Sequence, residues 1–258
     1  MSSALIHSWY VTARHLRALA RQPWYIAITL VQPVVWLLLF GALFQRVVEI
    51  PGFATGSYIE FLTPGVIVMS ALFSNGFSGM SIIEDLERGV MDRFLVSPVR
   101  RGALMSGLIA HQALITIIQS GIMVALALLV GARFSGGVIG VAVLVVCAAL
   151  VGAGLGSLSN ALALLLRSRE SVIAAVQFLV LPATFLSASF MQQDLAPAWI
   201  QSIARFNPVN WSVEAGREAL ETGADWAFVL SHVGYLLIFA IACALVSIRA
   251  FRAYQRSV

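Results

Sequence analysis

Six runs without a charged residue, 22–45, 61–83, 102–132, 134–166, 171–193 and 226–248, divide the chain. Each reaches or exceeds the ~20 residues that an α-helix needs to cross a bilayer. The pattern predicts an all-α polytopic membrane protein with six transmembrane helices, at 24–45, 64–83, 103–130, 138–165, 171–191 and 226–248. Pro33 removes a backbone donor inside the first and predicts a kink there. Trp24 is expected to anchor that helix at its cytoplasmic end, and Trp36 to face a partner or lipid. The second holds Asn75 in a small-residue stretch, SNGFSGMS, and the fourth holds Gly152-x-x-x-Gly156. Both are faces on which helices approach closely.

Three segments break this pattern. Over 4–21, Leu5, Ile6, Trp9, Ala13, Leu16 and Ala20 share one side of a helix, and His7, Arg14, Arg17 and Arg21 share the other. That arrangement predicts an interfacial helix on anionic headgroups, and its recurring arginines argue against a cleaved signal peptide. The stretch 84–101 holds four acids, Glu84, Asp85, Glu87 and Asp92, and four arginines, Arg88, Arg93, Arg100 and Arg101. Leu86, Val90 and Phe94 form an apolar stripe with Met91 beside it, interrupted by Glu87, until Ser97-Pro98 ends the helix. The residues alone leave two readings, a solvated loop or a short helix offered to a cytoplasmic partner. Over 194–225 seven charges exclude a span, yet Trp199, Ile200, Ile203, Phe206, Trp211, Val213 and Leu220 punctuate the stretch. A surface loop and a half-inserted hairpin both fit, with Asn207-Pro208 a turn that opens a helix near Val209.

Composition leaves no room for a separate soluble domain. The 258 residues are 60% hydrophobic and 11% charged, with a mean hydropathy of +0.91, so residues 1–258 form a single transmembrane domain. All sixteen basic residues are arginine. Without lysine there is no P-loop and no Schiff-base chemistry. Twelve arginines fall on one set of loops and four, Arg46, Arg133, Arg205 and Arg217, on the other. The count predicts that both termini, 84–101 and the turn at Arg167, Arg169 and Glu170 are cytoplasmic. Scattered in this way, the formal charge of +4 makes no nucleic-acid patch.

Candidate chemistry is sparse. Cys147 and Cys243 read as small buried hydrophobes. His111, Gln112 and Gln119 are the polar members of the third span. His111 suggests either a structural hydrogen bond between helices or, less economically, a haem ligand or proton relay, and His232 stands apart in the last span. An embedded hydrolase needs a nucleophile with its base or a cluster of ligands at one depth. An ion-coupled carrier needs charges at mid-membrane, and all twelve acids lie outside the charge-free runs. Both classes are disfavoured.

The run ERGVMDRFLVSPVRR closely resembles the cytoplasmic coupling segment of type-2 ABC exporter permeases, the class of the daunorubicin-resistance drug and lipid exporter permease. The stretch FLSASFMQQDLAPAWIQSIARFNPVNWSVEAGREAL looks like the same family's region after the fifth span, apart from the proline often found where Gln192 or Gln193 stands. The resemblance implies a coupling helix over 84–98 in which Glu84, Asp85, Glu87, Arg88, Gly89, Val90, Met91, Asp92, Arg93, Phe94 and Leu95 dock on an ATP-binding subunit. It implies external re-entrant helices over 194–225 marked by Pro197, Trp199, Asn207, Pro208 and Arg217. The implied protein is a non-catalytic permease in the cell membrane. No cofactor sits on this chain; ATP and Mg2+ belong to two copies of the partner, and a second permease copy, the same chain or a paralogue, completes the pore. The expected cargo is an amphipathic drug-like molecule or lipid, with a polysaccharide or glycolipid as the alternative.

Overall fold

The computed structural model describes residues 23–49, 57–88 and 101–257, the side chains of 23–27, 101–106, 108 and 255–257 excepted. The expected interfacial helix at 4–21 and the docking residues Gly89, Val90, Met91, Asp92, Arg93, Phe94 and Leu95 lie outside the described residues.

Nine α-helices and no strands make up the described residues: α1 (Pro23–Leu43), α2 (Tyr58–Gly76), α3 (Gly79–Glu87), α4 (Arg101–Leu129), α5 (Gly137–Leu166), α6 (Arg169–Phe185), α7 (Ala198–Ala204), α8 (Pro208–Ala219) and α9 (Trp226–Ser257). Four stretches are long and apolar enough to cross a membrane: Tyr58–Glu87, Ile109–Leu129, Gly137–Leu166 and Trp226–Tyr254. Two further helices are apolar, α1 with 21 residues and the shorter α6. At 17 residues, α6 measures about 25 Å along its axis. Pro182 lies in its last turn, and its helix stops at Phe185, before the expected end at Met191.

The bundle is organised about α2 and α5. An all-round apolar sequence buries a helix on every side, and α2 obeys: Phe61, Leu62, Val66 and Val68 have no exposed surface. Around it pack α1, α4, α5, α6 and α8, while α5 also meets α3 and α9. Small residues set the spacing. A Cβ at Gly152 would come 2.6 Å from Asn75 Nδ2, and one at Gly156 would come 2.5 Å from Gln112 Oε1. Gly79 closes against the Ser159 carbonyl, 2.5 Å from the place of its missing Cβ. The two small-residue faces read from the sequence therefore meet each other.

Three further boundaries differ from expectation. The second span begins at Tyr58, with Pro64 inside the helix, because Thr63 Oγ1 donates to the Ile59 carbonyl (2.6 Å) and Tyr58 is already buried. This span is also interrupted: α2 ends at Gly76 and α3 starts at Gly79. The interruption is held from outside, where Ser78 Oγ donates among the Gly156 carbonyl and Asn160 Oδ1 (both 3.1 Å) and Ser159 Oγ accepts from Gly79 N–H (3.1 Å). Glu84, Asp85 and Glu87 consequently sit in the last turn of α3, continuous with the span, instead of opening a separate helix at 84. The last span continues past Ile248 to Ser257, since Ala250, Phe251 and Tyr254 are buried.

Outward faces are apolar. Ile28, Val31 and Leu39 of α1, Phe178 and Phe185 of α6, and Leu230 and Ile238 of α9 are all more than half exposed, as lipid or a second copy requires. Trp36 does not join them. It stacks on Phe40 (centroids 4.5 Å apart) and meets Phe190 (5.4 Å), so it closes α1 onto the chain that follows α6.

Candidate functional site

The thirty residues of α5 hold its two ends about 45 Å apart, and each end gathers a distinct set of polar groups. At the C-terminal end Arg167 takes a left-handed conformation (φ 52°) that stops the helix, with its N–H on the Ala163 carbonyl. Its guanidinium lies over the Tyr254 ring, 4.9 Å from the centroid. Ser168 caps α6 by accepting from Ser171 N–H (3.3 Å). Arg169 reaches the end of α3, where Nε donates to Glu87 Oε1 (3.1 Å) and Nη2 to Glu87 Oε2. It also pairs with Glu84 at 3.9 Å, and Glu84 pairs with Arg88 at 3.9 Å. Leu86, beside them, packs against the core.

Of the predicted docking residues, Glu84, Glu87 and Arg88 are thus brought to the same end as the Arg167–Glu170 turn. Hydrogen bonding to Glu87 raises the Arg169 guanidinium above its ordinary range, and backbone and Ser168 hydrogen bonds lower the Glu170 carboxyl. The forked Arg169–Glu87 contact ties the end of α3 to the turn between α5 and α6. Arg169 had been read from the sequence only as a turn residue; its long-range partner left no local signal.

At the other end, the backbone after α6 is irregular, and side chains complete its hydrogen bonds. Asn207 Nδ2 donates to the carbonyls of Ala183 (2.6 Å) and Leu186 (2.9 Å), while its Oδ1 accepts from Val209 N–H (3.0 Å) and caps α8. Pro208 at the first helical position costs nothing, because that N–H has no partner in the helix. Asn210 Oδ1 accepts from Ala188 N–H (2.8 Å). Tyr58 Oη donates to the Phe190 carbonyl (3.0 Å). Arg217 Nη2 donates to the carbonyls of Phe61 (3.2 Å) and Ala188 (2.9 Å), and its guanidinium rests 3.8 Å from the Phe61 centroid. Burial lowers this guanidinium to about 10, and burial raises the neighbouring Glu214 carboxyl. Gly65 lets the segment lie directly on α2, because a Cβ there would enter the Ser189 carbonyl.

This assembly unites Asn207, Pro208 and Arg217 and adds Asn210 and Tyr58, which sequence reasoning missed. An Asn three residues beyond the cap was the one available signal for Asn210. Pro197 starts α7, but it and Trp199 stand apart from the network, Trp199 being 60% exposed. The 131–137 turn joins the same end: Glu60 Oε1 accepts from Arg133 N–H (2.8 Å), and Gly136 N–H donates to the Leu220 carbonyl (2.8 Å).

Interior polar residues mostly serve packing. Asn75 Nδ2 bridges the Ala71 carbonyl (2.8 Å) and Thr116 Oγ1 (2.9 Å), and Gln119 Nε2 donates to Thr29 Oγ1 (3.2 Å). His232 Nδ1 lies 2.9 Å from the Phe228 carbonyl, and its ring meets Phe228 and Tyr235. Among the described residues no group of three or more His, Cys, Asp or Glu could hold a metal. Both cysteines are buried and unpaired.

The ABC-2 type transporter model matches residues 7–220. A daunorubicin resistance ABC transporter permease protein, DrrB1 of Streptomyces coeruleorubidus, is 28% identical over 253 residues, 97% of this chain and 84% of that protein. A putative transport permease, ycf38 of Cyanophora paradoxa, is 28% identical over 93% of this chain and 86% of its own. The probable doxorubicin resistance ABC transporter permease DrrC of Mycobacterium tuberculosis is 22% identical over 88% and 80%. With an all-helical bundle, several apolar helices and a family match that runs from residue 7 through the end of α8, the chain belongs to the ABC-2 type transporter family.

Proposed function

We propose that this chain is the membrane permease of an ATP-driven exporter that moves an amphipathic drug-like or lipid molecule out of the cytoplasm or inner leaflet. The observation that carries the reading is the family match over 7–220; the charged end built around Glu84, Glu87 and Arg169 agrees with it. In this reading the six apolar helices, α1, α2 with α3, α4, α5, α6 and α9, all span, and α7 and α8 are external re-entrant helices. Residues 84–98 dock on an ATP-binding subunit, which holds ATP and Mg2+; this chain holds neither. Two permeases and two motor subunits make the transporter, with a homodimer as the simplest arrangement and both termini in the cytoplasm. ATP closes the motor pair, the docking segments move, and α3 transmits that motion through the Gly76–Gly79 interruption to the core helix α2.

The test is reconstitution of the permease with its ATP-binding subunit in vesicles. ATP-dependent movement of a fluorescent amphiphile is expected with both chains and with neither chain alone. Transport by the permease alone, driven by an ion gradient, would overturn the exporter reading.

A further inference from the structure

A cleft of about 420 Å3 opens where α2 gives way to α3, across from α4. Its size is within the ~300–1,000 Å3 typical of small-molecule sites. Ser78, Ser81 and Glu84 form one wall, and His111 and Gln112 form the other. Phe77, Met80 and Ile115 supply apolar surface between them.

On the wall formed by Ser78, Ser81 and Glu84 the polar groups are left as acceptors. The Ser81 hydroxyl spends its hydrogen on the Ser78 carbonyl (2.7 Å), and Ser78 spends its own between Gly156 and Asn160, so both oxygens are left with lone pairs. Among the described residues Glu84 is the one acidic residue of the wall, and its side chain is 43% exposed. Its two arginine contacts are both 3.9 Å long, well beyond the ~2.7–2.9 Å of a charge-assisted hydrogen bond. Gln112 is 4% exposed, and neither its Oε1 nor its Nε2 has a partner among the described residues. A buried amide in that condition costs ~1–3 kcal/mol, a cost that leucine at the same place would avoid. Among the described residues no arginine lines the cleft.

We propose that this cleft binds an amphipathic cation, with its ammonium on Glu84 and Ser81, a hydrogen-bonding group on Gln112, and its apolar body against Phe77, Met80 and Ile115. The proposal rests on the exporter reading and narrows its substrate class from amphiphiles in general to those carrying a protonated amine. Neutral amphiphiles lack the charge for Glu84, and anionic ones meet a wall of acceptors.

The experiment uses the full chain in nanodiscs and two probes, a dansyl-tagged dodecyl amine and its N-acetylated, uncharged counterpart, with binding read from dansyl fluorescence. The amine is expected to bind about tenfold more tightly than the amide, the scale of one hydrogen bond to a charged group. Glu84→Gln should abolish that preference by weakening the amine alone. Gln112→Leu, which removes an unpartnered amide and leaves folding intact, should weaken both probes several-fold. Glu49→Gln, a charge removed at the opposite end of the bundle, should change neither. Equal affinity for the two probes, or an amine affinity untouched by Glu84→Gln, overturns the site.

A second arm keeps the two ideas separate. If vesicles holding the permease and its motor export the amine, and Glu84→Gln and Gln112→Leu leave the concentration for half-maximal export unchanged, the cleft falls and the exporter stands. If the amine binds as described but ATP drives no export, the cleft stands and the exporter reading falls.

Discussion

Arg217 shows what a single side chain does in this molecule. Its guanidinium spans two carbonyls, of Phe61 and Ala188, from two different elements, and stacks on the Phe61 ring. A lysine keeps the charge but has neither the fork nor the flat face. Arg217→Lys is therefore expected to lower stability, and Arg217→Ala to cost about 3 kcal/mol by leaving both carbonyls without this donor; thermal unfolding in detergent measures both. Glu214, one turn away, carries a carboxyl raised by burial. With its folded value above its unfolded one, the folded state holds the extra proton, so stability is greatest below the ordinary carboxylate range and declines as pH rises through the raised value. Glu214→Gln removes that slope. The melting-temperature gap between variant and wild type should widen in the variant's favour from about pH 4.5 upward. A constant gap would show that Glu214 does not titrate in this range.

At the scale of elements, α3 and the segment it feeds are the parts that the proposed function requires to move. If Phe94 anchors the docking segment in a motor groove, Phe94→Ala should cost on the order of 2 kcal/mol of association without preventing insertion. The loss appears as a motor subunit that no longer co-purifies. Asp92→Arg and Arg93→Glu should act similarly, with rescue by an opposite reversal on the motor. A solvated loop predicts silence for all three, within about 0.5 kcal/mol. Orientation is tested by cysteine placement. Thr222→Cys should react with an impermeant thiol reagent in intact cells, and Arg88→Cys should not. Gly136 is a poor probe position, because any Cβ there enters the Ala219 carbonyl.

For the whole molecule, the decisive expectation is division of labour. A chain with no lysine has no P-loop, so purified permease free of other subunits should show no saturable ATPase activity, by a coupled phosphate-release assay. The apolar outer faces of α1 and α6 should be shared between lipid and a second copy. Crosslinking through a cysteine at Phe178, 79% exposed, is expected to join two permeases across the dimer. Monomers at every detergent-to-protein ratio would remove the homodimer from the proposal.

Much of this architecture was legible along the chain, because bilayer-crossing capacity depends on length and apolar content, which are linear properties. The positions of the apolar helices, the charged stretch at 84–88, the Asn207-Pro208 helix start and the small-residue faces at 74–81 and 152–156 all follow from local pattern. The interruption at Gly76–Gly79 did not, because its stabilising partners, Gly156, Ser159 and Asn160, lie about eighty residues away. Nor did the early end of α6, where Asn207 and Arg217 make an irregular backbone tolerable by supplying donors that no local sequence contains. Trp36 reads as facing a partner or lipid, and its contact with Phe190, far along the chain, leaves no local signal. Hydropathy determined which segments leave water. Only the tertiary structure decided which of them are core, which face outward, and which buried polar atoms are paired, since each depends on hydrogen bonds and close packing between residues far apart in the chain.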